Sequence, residues 1–141
     1  GEELGRVLPM PMVGKELDCR MIGRWLTDWM ICADCQGDEL IVNIEKVNAM
    51  PKQGVASTFK FGMGYGMLRG IVESMDVPHK LVTPQAWKKK VLAGLDWKGN
   101  KAASVEYVQR AHPEIDLMPG RKRKPQDGIA DAVCLAEYGL L

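Results

Sequence analysis

Residues 40–47 read LIVNIEKV, a short, apolar and β-branched run of the kind that forms a strand covered on both faces. Glu45 interrupts it near the C-terminal end. A buried carboxylate is costly unless it is paired or bound to a cation. Either Glu45 turns to solvent where the strand ends, or the rest of the chain supplies it with a partner.

Around this run, helical and extended patterns alternate, which places the chain in the α/β class. Residues 4–13, LGRVLPMPMV, form an extended segment ended by prolines. Across 16–31, Leu17, Met21, Trp25 and Trp29 recur at four-residue steps, with Ile22 and Leu26 alongside. That spacing predicts a helix with one broad apolar face and its tryptophans in the core. A polar turn over 34–39 leads into strand 40–47. After a loop with Pro51 and Gly54, a helix is predicted over 57–75, interrupted by Gly62, Gly64, Gly66 and Gly70.

Each of those glycines costs about 1 kcal/mol of helix propensity relative to Ala. They suit a close approach by another backbone or by a nucleic acid. The GMGYG segment lacks the Lys-Ser/Thr of a phosphate-binding loop and does not follow a strand as a Rossmann turn does, which excludes nucleotide binding there. Phe59, Phe61 and Tyr65 either reach DNA bases or fill core, with at least one phenylalanine expected inside.

Residues 79–82 read as a second strand. Thr83 follows as an N-cap with Pro84 at the first helical position, and the helix carries Lys88, Lys89 and Lys90 beside Trp87. A further helix, 101–111, stops before Pro113. The last helix, 126–138, is closed by Gly139. A length of 141 residues suits a single domain, 1–141, around one core.

The net charge of +1 hides an uneven distribution: Lys88, Lys89 and Lys90, then Arg121, Lys122, Arg123 and Lys124, concentrate cations in the second half. Such clusters meet phosphates or stand as solvated loop charges. No run approaches the ~18 apolar residues of a membrane span, and no basic-then-apolar leader opens the chain, so a cytoplasmic protein is expected. Cys32 and Cys35 have the spacing of half a zinc site, but Cys19, Cys134, His79 and His112 supply no second matching pair. The cysteines read as ordinary reduced thiols.

Asp127 and Asp131 lie four residues apart in the last helix, on one face. Like charges at that spacing repel, so the pair is either simple N-terminal helix charge or the seat of a cation. Taken with Glu45, the oxygen ligands suit Mg²⁺ (or Mn²⁺), which commonly takes one or two carboxylates plus water and phosphate. Two such ions about 3.5–4 Å apart cleave phosphodiesters in many nucleases. On this reading Glu45 looks across to the final helix.

Three strings carry a family resemblance: IEKVNAMPKQGVASTFKFGMGYG, LVTPQAWKKKVL and DGIADAVCLAEYG. In order and spacing they resemble the phage-type branch of the RuvC-like Holliday junction resolvases, over residues 8–139. The resemblance implies a ribonuclease-H-like fold, a mixed sheet flanked by helices, with Mg²⁺-dependent cleavage of branched DNA by a homodimer. Glu45 matches the family's strand-end glutamate, and Asp127 and Asp131 match the acids of its final helix. Lys88, Lys89, Lys90 and Arg121, Lys122, Arg123 and Lys124 are then phosphate contacts.

One element departs from the family. Its members open with a β-hairpin carrying an aspartate in a Gly-Ile-Asp-Pro-Gly-like motif, which does not occur here; the chain begins about where the third strand should. Asp18 falls in the first predicted helix and does not substitute. The resemblance therefore implies an N-terminally truncated relative without the first two family strands. Two expectations follow: an endonuclease working with three acids, or a catalytically impaired or inactive relative that binds DNA or dimerises. Uncovered strand edges must also be satisfied, by direct pairing of the remaining strands or by a second chain.

Overall fold

The computed structural model describes residues 6–48 and 51–141. Among them are five helices and two sheets of two strands each, a mixed α/β content. Two compact units divide the described chain: Met10–Leu81, and Val82–Leu141 together with residues 6–9. Leu4 and Gly5 of the expected extended segment lie outside the described residues.

The Met10–Leu81 unit opens with a small hairpin, β1 (Met12–Val13) against β2 (Glu16–Leu17), antiparallel, with Met12 opposite Leu17. Gly14 turns the chain at φ +63°, a left-handed conformation that costs glycine little. Asp18 stands just before α1 (Cys19–Cys35) and caps it, its carboxylate accepting from the Met21 N–H at 3.1 Å. The helix therefore begins later than predicted, with Asp18 outside it as its cap. It also runs past 31, so Cys32 and Cys35 occupy its last turn as exposed free thiols. The polar turn starts only at Gln36, whose N–H returns to the Ala33 carbonyl.

The buried stripe of α1 is Ile22 and Leu26. Trp25 and Trp29 are not core: their rings sit 5.8 Å apart beside that stripe, and Trp29 is 43% exposed. A helix of 3.6 residues per turn buries one stripe fully, and here the aliphatic row wins over the aromatic one.

Strand β3 (Val42–Glu45) is shorter than the apolar run, and it pairs with β4 (His79–Val82), as predicted for 79–82. The remaining strands thus pair directly with each other. Helix α2 (Val55–Ser74) follows β3 and buries only Val72 completely. Val72, Val77 and Ile44 join Ile22 and Leu26 in this unit's core, with Leu17, Tyr65, Leu68 and Ile71 packed against it. The first half of α2 takes no part: Phe59 is 70% and Phe61 53% exposed, so neither phenylalanine fills core. Of the helix glycines, a Cβ at Gly64 would meet Leu17 Cδ1 at 3.7 Å, while Gly62, Gly66 and Gly70 have no described atom within 4 Å.

The second unit contains α3 (Pro84–Val91), α4 (Ala103–Ala111) and α5 (Asp127–Leu140). Thr83 caps α3 as the sequence predicts, its hydroxyl accepting from the Ala86 N–H at 3.2 Å, with Pro84 at the first position. Helix α5 packs on both α3 and α4. Trp87, Leu92, Val108 and Cys134 are fully enclosed between them. Burial, with Asp131 and Glu137 nearby, pushes the Cys134 thiol up to about 12, so it stays protonated and inert.

A polar clasp joins α4 to α5. The Tyr107 hydroxyl donates to the Glu137 carboxylate at 2.7 and 2.9 Å, and His112 Nε2 lies 3.4 Å from the same carboxylate. Burial and the Glu137 charge push Tyr107 up to about 12. Helix α5 continues to Leu140, so Gly139 lies inside it and does not end it. No described helix is long and apolar enough to cross a membrane.

Candidate functional site

Asp127 is the first residue of α5, and Asp131 comes one turn later. Both line a cleft of about 110 Å³ in the Val82–Leu141 unit. Lys88 of α3, Ser104 of α4, and Trp97, Asn100 and Lys101 of the connecting loop line it as well. The cleft exists because α5 packs on α3 and α4 at once, bringing together residues from three helices and the loop between α3 and α4.

The two aspartates differ in environment. Asp127 is exposed and its Oδ1 accepts the Gly128 N–H at 2.9 Å. Asp131 is half-buried, and burial holds its carboxyl above the ordinary carboxylate range. A hydrogen bond from the Ser104 hydroxyl and the Lys88 charge oppose that rise, whereas the Asp127 charge adds to it. Ser104 is 4% exposed, a buried polar side chain in an otherwise apolar core, and the bond to Asp131 accounts for its position.

Of the predicted phosphate contacts, Lys88 alone lines the cleft, half-buried with its Nζ 5.5 Å from the Trp87 ring centre. Lys89 and Lys90 are exposed, Lys90 lying 5.8 Å from the Tyr138 ring. Arg121, Lys122, Arg123 and Lys124 are exposed on the loop before α5. That loop is tied down where it enters the helix, the Gln126 N–H donating to the Leu117 carbonyl at 2.9 Å. Glu45 is the last residue of β3, as the strand-end reading expects, and is half-buried. It belongs to the Met10–Leu81 unit. Within neither unit do three or more described His, Cys, Asp or Glu side chains converge on a metal position.

Of the residues lining the cleft, the sequence singled out Asp127, Asp131 and Lys88 as site candidates but not Ser104, Lys101, Asn100 or Trp97. Lys101 had a faint signal, as a lysine at the predicted start of a helix. Ser104 had none, because only α4–α5 packing gives its hydroxyl a partner.

The donor set suits a divalent ion. Asp127 and Asp131 give the two hard oxygen ligands that Mg²⁺ commonly takes from protein. Their mutual repulsion and the burial of Asp131 are the conditions a bound cation relieves. Lys88 meets part of the same need with its ammonium. No protein-family model matches this chain, and no curated protein matches it closely enough to count as a relative.

Proposed function

We propose that this chain is a metal-dependent endonuclease of the RuvC-like resolvase family, with a ribonuclease-H-like fold, acting as a homodimer on branched DNA such as Holliday junctions. A cytoplasmic location goes with that reading. The observation that carries it is the cleft itself: two carboxylates one helical turn apart, in a pocket whose other charges are lysines. Asp127 and Asp131 would hold Mg²⁺ or Mn²⁺, with Glu45 as the third acid of the family pattern. The ion, when bound, supplies Lewis-acid stabilisation of the charge that develops on the cleaved phosphodiester. Ser104 orients Asp131, and Lys88 and Lys101 take the flanking phosphates. The exposed cations Lys89, Lys90, Arg121, Lys122, Arg123 and Lys124 extend the phosphate contacts along the duplex arms, giving binding that weakens steeply with salt.

A second reading is favoured by one feature. The Lys88 charge favours the ionised Asp131 carboxylate and so meets part of its need without a metal, as a DNA-binding or dimerising relative that no longer cleaves would require. Nicking of a labelled four-way junction in Mg²⁺ and in Mn²⁺, beside a linear duplex, separates the two. Metal-dependent nicking that disappears in Asp131→Asn and Glu45→Gln supports the endonuclease. Junction binding without nicking selects the DNA-binding form of the second reading, and loss of both overturns every reading but a relative that only dimerises, which sedimentation then tests.

A further inference from the structure

The four tryptophans of the chain are placed very differently. Trp87 is enclosed in the core, whereas Trp97 is half-buried, one side packed on that core and another lining the cleft. Its loop is held in shape. Gly94 and Gly99 turn it at φ +86° and +79°, and the Leu95 N–H donates to the Leu92 carbonyl at 3.0 Å. The Asn100 side chain accepts from the Ala102 N–H at 3.0 Å. Lys98 Nζ lies over the Trp97 ring, 5.8 Å from its centre, and a base that takes this face displaces the exposed ammonium toward a phosphate. Lys88 and Lys101 share the cleft with that ring.

A half-buried indole lining a lysine-bearing cleft offers two things that a nucleotide needs together. Its face accepts a flat base, and the neighbouring ammonium groups accept the phosphates on either side. A base inside a duplex is already stacked and cannot take the ring, so the arrangement selects a nucleotide whose base is unpaired. We propose that Trp97 is a stacking platform for an unpaired DNA base beside the aspartate pair, with Lys88, Lys98 and Lys101 on the adjoining phosphates. This rests on the nucleic-acid reading above and adds the element that distinguishes a strand at a branch point from plain duplex.

The test compares binding of the full chain to oligothymidylate and to an abasic oligomer of the same length and backbone. The wild-type chain prefers the base-bearing strand about tenfold, the scale of one base–aromatic stack. Trp97→Ala removes the preference and Trp97→Phe keeps most of it, while the salt dependence of binding is the same in all three because the phosphate contacts are untouched. Because Trp97 also packs on the core, a second readout uses only the conservative Phe variant. Oligothymidylate quenches indole emission in the wild type, and Trp97→Phe loses that quenching although the other three tryptophans remain. A base preference that survives in Trp97→Ala, or quenching that survives in Trp97→Phe, overturns the proposal. So does equal wild-type binding of the two oligomers, which leaves the nucleic-acid reading standing. Binding of neither oligomer nor of a junction overturns that reading and this one with it.

Discussion

The two units of this chain are similar in length but not in how they bury it. In the Val82–Leu141 unit, three short helices enclose Trp87, Leu92, Val108 and Cys134 completely. In the Met10–Leu81 unit, the longest helix, α2, encloses only Val72 and leaves Val55, Phe59 and Phe61 in solvent. The difference shows what glycine spacing does to a helix. Where Gly62, Gly66 and Gly70 stand, α2 has no side chains with which to bury area, so its apolar residues lack neighbours along the same face. Burial of apolar surface is the main favourable contribution to folding, and it is concentrated in the unit that also carries the cleft.

That contrast can be broken at its strongest point first. Trp87→Ala is expected to cost about 3–5 kcal/mol, as large aromatic-to-alanine changes in cores do. Amide exchange should show the loss across α3, α4 and α5. If exchange instead rises first in α1 and α2, the ranking of the two cores is wrong. Tyr107→Phe removes the bond to Glu137 and should cost about 1–2 kcal/mol, less than a fully buried charged bond because the site is partly solvated. Denaturant midpoints read that difference directly.

On the other unit, Gly66→Ala and Gly70→Ala should each stabilise by roughly 0.5–1 kcal/mol, since the added methyl meets open space and helix propensity improves. A loss of stability at either position would mean that the surface is in use, and a concentration-dependent melting temperature would identify a second copy as the user. Gly64→Ala serves as the contrast, because its methyl enters ordinary contact with Leu17.

The smallest effect is a slope. Asp131 in the folded chain holds its proton more tightly than an unfolded aspartate. The folded state therefore binds more protons in that range, and this contribution favours folding at low pH and is lost as pH rises above the ordinary carboxylate value. Asp131→Asn should remove that slope from a plot of melting temperature against pH. It should also raise stability relative to wild type at neutral pH in the absence of divalent ions.

Much of the local structure was legible because it depends on neighbours in sequence. Thr83-Pro84 fixes the start of α3, residues 79–82 form the strand their pattern predicts, and the four-residue spacing of Asp127 and Asp131 puts both in one cleft. The errors have a common physical cause, which is competition decided by packing. The α1 pattern offered two apolar rows, and the smaller aliphatic row was buried while Trp25 and Trp29 were left beside it. At least one phenylalanine of α2 was expected in the core, yet both are exposed, because burial depends on the surface opposite. Gly139 looked like a stop, but α5 carries on for another residue beyond it. Of the cleft, the half contributed by α5 could be read from sequence. The half contributed by Ser104, Asn100, Lys101 and Trp97 could not, since those residues matter only once α4 lies against α5.

The clasp between Tyr107 and Glu137 has a mechanical meaning. Helices α4 and α5 touch through polar bonds at two places, Ser104 to Asp131 and Tyr107 to Glu137. One such point would act as a pivot about which a helix can swing. Two points fix a line, so α4 can neither slide nor swivel against α5 without stretching one bond or the other. The spacing between Asp131 and Ser104 is therefore held by the packing of α4 on α5, like the jaw of a gauge set at a chosen width.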